Sequence, residues 1–127
     1  CHGPDWNRVR AEPHLFDGVN TQCVYAHPAT ASTLVLRFAD LPAGSALVGM
    51  YGIDDNGYHP GGADVTAHLE LQFDGKQSIS RDLVATNRKG VTPYRIELPG
   101  SAGSAVMSIA TPDAGARQFC FTFLVVE

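Results

Sequence analysis

Apolar residues recur at every second position far more clearly than at every third or fourth, and this alternation most restricts what the chain can fold into. Leu69, Leu71 and Phe73 fall on one face of a segment whose other face carries Thr66, His68, Glu70 and Gln72. That pattern belongs to a strand with one side buried and one side wet. Thirteen glycines and eight prolines punctuate the chain. Together with the strands that the alternation marks, they leave no segment of ten or more residues free for a long amphipathic helix, which argues against crossover helices and a parallel sheet. Eight strands are expected, over 21–26, 33–38, 46–53, 65–73, 76–82, 93–98, 105–110 and 118–126. Asp74-Gly75 joins two of them. This pair is favoured in the two-residue type I′ hairpin turn, where both central residues need positive φ. In the last strand Phe119, Phe121 and Phe123 share one face and Cys120, Thr122, Leu124 and Val126 the other, so a central position in a sheet is expected. The expected fold is an all-β antiparallel sandwich of about eight strands, one domain over 6–127 behind a short tether at 1–5, with Trp6 a plug for the core.

Composition narrows the function classes. A chain of 127 residues with 44% hydrophobic side chains encloses one core, and two domains are not expected. A net charge of −4 leaves no basic excess for a phosphate backbone, so nucleic acid is not an expected partner. No run of about 18 apolar residues occurs, so no membrane-spanning helix is expected. The sequence holds no Gly-x-Ser-x-Gly elbow, no phosphate loop and no Gly-x-Gly-x-x-Gly, and its thirteen acids are an ordinary number, so no enzyme is expected. Its five histidines, at 2, 14, 27, 59 and 68, show no metal-ligand spacing, and no metal centre is expected. His27, before Pro28, reads as a hydrogen-bonded structural residue, and Arg88-Lys89-Gly90 as a solvated hairpin tip.

The three cysteines bear on compartment. Maturation of a bacterial lipoprotein leaves a lipidated Cys as first residue, which would use Cys1 and leave Cys23 and Cys120 as a pair. A disulfide between these two would close most of the chain into a loop, worth about 4–5 kcal/mol on the chain-entropy model, and would imply an oxidising compartment. Two separately buried thiols in a cytosolic protein, and a chain that simply begins at Cys1, are the alternatives. The expected location is therefore periplasmic or cell-surface, with membrane contact through a lipid at Cys1.

The loop from Asp54 to Asp64 is the most polar and permissive part of the chain. Tyr58 is suited to stacking on a pyranose, while Asp54 or Asp55 can accept hydrogen bonds from hydroxyls. With Tyr51 and His59 these residues form the candidate binding site. Two alternatives stay open here: a purely structural loop, since Asp-Asn-Gly is a common solvated turn, and calcium, although the spacing is not that of an EF-hand. No other cofactor is expected.

Several short motifs between Cys23 and Glu127 also carry a family resemblance. Ala26-His27 precedes a strand, Leu47-Val48-Gly49 runs to Gly52-Ile53-Asp54-Asp55, Val65 to Phe73 leads into Asp74-Gly75-Lys76, and Thr111-Pro112-Asp113-Ala114-Gly115 forms a later turn. In this order the motifs resemble the NPCBM and wider galactose-binding-like domains over about four fifths of the chain. The resemblance implies a jelly-roll β-sandwich and a non-catalytic role in sugar or surface binding. The family usually follows the last turn with an acidic segment containing His and Trp, where this chain has Ala116-Arg117-Gln118-Phe119-Cys120. The departure weakens any transfer of family calcium or sugar contacts to that end.

Two functions follow as expectations. One is an exported, lipid-anchored module that recognises a glycan or cell-surface partner through Tyr51, Asp54, Asp55, Tyr58 and His59. The other is a structural accessory lipoprotein docked on the exterior of a bacterial envelope complex. Cys1 lies five residues before Trp6, a reach of at most about 18 Å, which holds such a domain close to its membrane.

Overall fold

The computed structural model describes residues 9–75 and 77–127. The tether at 1–5, the lipid site at Cys1, His2, the Trp6 plug and Lys76 lie outside the described residues. Among the described residues nine strands form: β1 (Arg10–Phe16), β2 (Val19–Tyr25), β3 (Leu34–Leu41), β4 (Ala46–Ile53), β5 (Val65–Phe73), β6 (Ser78–Ala85), β7 (Thr92–Glu97), β8 (Gly103–Ala110) and β9 (Phe119–Val126). All ladders are antiparallel. One sheet has the order β1-β2-β9-β4-β7 and the other β3-β8-β5-β6, which makes the chain the jelly-roll sandwich that its alternation and its resemblance imply.

Two local expectations change. β1 replaces unassigned chain, because Asp17-Gly18 supplies a hairpin turn that pairs Phe16 with Val19. Both turn residues take positive φ, 49° and 77°, as a type I′ turn requires. At Asp74-Gly75 only the glycine does so, with φ of 88°. There Phe73 N–H donates to the Gln77 carbonyl at 2.9 Å, so the connection is longer than two residues and the next strand begins at Ser78.

The inner faces of the two sheets meet in one core. Leu47, Tyr51, Ile53, Ile96, Phe119 and Phe121 come from one sheet, and Val65, Leu69, Leu71, Leu83, Met107 and Ile109 from the other. Each large apolar side chain buried here contributes about 1.5–3 kcal/mol. Phe38 closes one flank, edge-on to Phe123 at 4.7 Å.

A second, smaller cluster lies on the outer face of the five-stranded sheet. Phe16, Cys23, Tyr25 and Cys120 are buried there with Met50 against them. Phe16 reaches this face because Gly52, on β4, has no side chain to occupy the space. The β1–β2 hairpin therefore folds back over β9 and β4. The Cys23–Cys120 disulfide fastens it, with Cα atoms 5.8 Å apart and a sequence separation of 97. The pairing read from the cysteine count is thus formed.

Candidate functional site

Four connections gather at one end of the sandwich: 26–33 after β2, 54–64 after β4, 86–91 after β6 and 111–118 after β8. Their register places them together, since Ile53 pairs with Phe119, Val65 with Ala85, Thr66 with Ala110, and Tyr25 with Cys120. Backbone polar groups in such loops need partners, and here the partners lie in neighbouring loops.

Arg117 is the main one, and it is fully buried. Its Nε donates to the Gly115 carbonyl at 3.2 Å, Nη1 to the Ala63 carbonyl at 3.2 Å and to Asn87 Oδ1 at 2.8 Å, and Nη2 to the Gly57 carbonyl. Burial lowers the guanidinium pKa from its ordinary value, against which the Asp113 carboxylate acts in the other direction. Ala116 precedes it with a left-handed φ of 53°. That conformation costs an alanine about 1–2 kcal/mol and belongs to the turn that delivers Arg117 to the interior. Asn87 extends the tie: its Nδ2 donates to the His59 carbonyl at 2.7 Å and its backbone N–H to Asp64 Oδ1 at 3.1 Å. Thr111 Oγ1 donates to the Asp64 carbonyl at 2.8 Å, and the Ala114 N–H to Thr30 Oγ1 at 3.1 Å. All four loops are thereby cross-linked. The sequence singles out neither Arg117 nor Asn87, because an isolated Arg or Asn in a polar loop looks like any solvated residue.

The five candidate residues divide by exposure. Tyr51 is 8% exposed and tilts against Tyr94 within the core, with ring centroids 6.1 Å apart. Asp54 is 1% exposed and both of its carboxylate oxygens are engaged, Oδ1 with the Gly57 N–H at 2.7 Å and Oδ2 with His14 Nδ1 at 2.5 Å. His14 stacks flat on Tyr25 and meets Glu12 through Nε2 at 2.9 Å. Burial, with Asp54 adding to it, raises the Tyr25 hydroxyl above its ordinary pKa. Asp55 is half-buried and accepts the N–H groups of Asp17 and Gly18 at 2.7 and 2.9 Å, which hold its carboxyl below the usual carboxylate range.

Tyr58 and His59 face outward. Tyr58 is 37% exposed with the Lys89 ammonium 5.9 Å from its ring centre. The ring nitrogens of His59 lie 3.3 Å from the carbonyls of Pro60 and Gly115. Gly115 also lines an adjoining groove of about 360 Å³, together with His27, Pro28–Thr30, Ala114 and Ala116. His27 is buried and bonded through Nδ1 to the Pro28 carbonyl at 2.7 Å, in the structural role expected of it. Lys89 sits at the β6–β7 tip and so reaches the site from a second loop. Among the described residues no group of three or more His, Cys, Asp or Glu is arranged to hold a metal ion.

No family model matches the chain, and no curated protein does. Solved structures do resemble it. A family 16 carbohydrate-binding module is 17% identical with a TM-score of 0.45, over 98% of this chain and 89% of that one. A CBM35 domain from Cellvibrio japonicus Abf62 is 14% identical with a TM-score of 0.38, over 94% of this chain and 89% of that one. A family GH115 4-O-methyl-alpha-glucuronidase with specificity for decorated arabinogalactans is 13% identical with a TM-score of 0.41, over 93% of this chain but 16% of the enzyme. This chain is thus similar to carbohydrate-binding modules and to one segment of a glycosidase.

Proposed function

We propose that the domain is a non-catalytic carbohydrate-binding module and that its loop end is the binding surface. The observation that carries this is the cross-linking of the four loops, three of them by Arg117 and Asn87 and the fourth by the Ala114–Thr30 bond, which leaves Tyr58 outward by Lys89 and His59 outward beside the 360 Å³ groove. A surface fixed before binding loses little side-chain and loop freedom on binding, and an exposed aromatic ring beside polar groups suits the two faces of a sugar. Tyr58 stacks on the ring, and His59 and the groove's backbone carbonyls take hydroxyls. Tyr51, Asp54 and Asp55 hold the loop from beneath.

Export belongs to the same proposal and is supported by the Cys23–Cys120 disulfide, a bond kept in oxidising compartments. A lipid on Cys1, holding the module at a membrane, completes it. The test is a glycan array followed by titration calorimetry. The wild-type chain is expected to bind a defined glycan class, and Tyr58→Ala to weaken that binding about tenfold or more through the lost stacking, with the urea midpoint unchanged. A flat array overturns the proposal. Recovery in one complex with envelope proteins after mild detergent extraction would then favour the accessory-subunit role.

A further inference from the structure

β9 is read from sequence as a central strand, yet it has a full neighbour on one side only. β4 pairs with it from Phe119 to Val126, whereas β2 lies beside it only at Val24 and Tyr25. The rest of β2 swings away with the β1–β2 hairpin. Among the described residues, Thr122–Val126 therefore presents an unpaired strand edge. Leu124 there is 64% exposed, and Phe123 and Val125 are half-buried against the core, with Phe38 of β3 edge-on to Phe123.

Exposed edges invite pairing, and proteins blunt them with proline and charge. The other edges follow that rule: β1 carries Pro13, β7 Pro93, β6 Arg81 and Asp82, and β3 Arg37 and Asp40. Thr122–Val126 has neither, and is apolar on both faces after its first residue.

We propose that this edge is the interface for a second copy of the chain, by antiparallel β9–β9 pairing about a two-fold axis at Leu124. The segment is self-complementary in that register. Phe123 faces Val125 of the other copy, Thr122 faces Val126, Leu124 faces itself, and no like charges meet. Both five-stranded sheets join into one, and the half-open seams beside Phe123 and Val125 close against each other. Five residues a side make a small contact, at the low end of specific interfaces, so association is weak and concentration-dependent, with a Kd on the order of 10–1,000 µM.

Sedimentation velocity on the oxidised 127-residue chain, from about 1 µM to about 1 mM, tests this. The wild type is expected to shift from monomer to dimer across the range. Leu124→Lys, an exposed substitution that places a charge on the edge, is expected to raise the Kd about tenfold or more with an unchanged circular dichroism spectrum. Val35→Lys on the β3 edge, also exposed, is expected to leave the Kd as it was. A wild type that stays monomeric throughout, or a Leu124→Lys chain that associates as the wild type does, overturns the proposal.

Discussion

Arg117 places a guanidinium inside the domain with oxygen dipoles rather than a carboxylate around it: three backbone carbonyls and the Asn87 amide. Taking a charge out of water is costly, and several well-aimed acceptors offset the cost while fixing the position of everything that bears them. Gly62 permits the arrangement, since any Cβ at that position would run into the guanidinium. Replacing Arg117 with Met leaves the carbonyls of Gly57, Ala63 and Gly115 without this donor. The variant is expected to lose about 3 kcal/mol or more of unfolding free energy in urea titrations, and Arg117→Lys, which keeps the charge but not the fork, about half as much. A loss within error for Arg117→Met would mean that the loops hold themselves.

Among the elements, the β1–β2 hairpin is docked by its short ladder with β9, the disulfide, the His14–Asp54 bond, the Asp55 N–H on the Leu15 carbonyl, and the Asp55 carboxylate on the N–H groups of its turn. The last of these makes hairpin docking sensitive to acid. Because the folded pKa of Asp55 is depressed, its contribution is present above the ordinary carboxylate pKa and lost as pH falls through the folded value. Thermal scans are expected to show Asp55→Asn less stable than wild type at neutral pH, and the two converging as pH falls through the depressed folded pKa of Asp55. His68 behaves in the opposite sense. Its hydrogen bond to Asp82 raises its pKa, so its contribution is present at low pH and fades as pH rises through the folded value.

This hairpin also shows where the chain can be read and where it cannot. β5 is legible because its alternation is clean and β4 because it is an unbroken apolar run between turn residues, and both keep the bounds read from sequence. β1 is hidden, since Pro13 reads against a strand and the half-buried face carries Glu12 and His14 while Leu15 is exposed, and its stability comes from a cover formed across a sheet far away in sequence. Asp17-Gly18 was its one local signal. At the loop end, the exposed Tyr58 and His59 are legible as surface chemistry. The burial of Tyr51 and Asp54 is not, because it depends on partners such as His14 and Tyr94 that tertiary packing brings in.

For the whole molecule, one covalent bond joins the opening hairpin to the closing strand across 97 residues. Backbone cleavage at an exposed loop between these points, such as 86–91, therefore yields two pieces that still travel together. A protease-nicked sample is expected to run as a single band on a non-reducing gel and as two bands once a thiol reductant is added. A domain closed in this way survives its first wound without shedding either half.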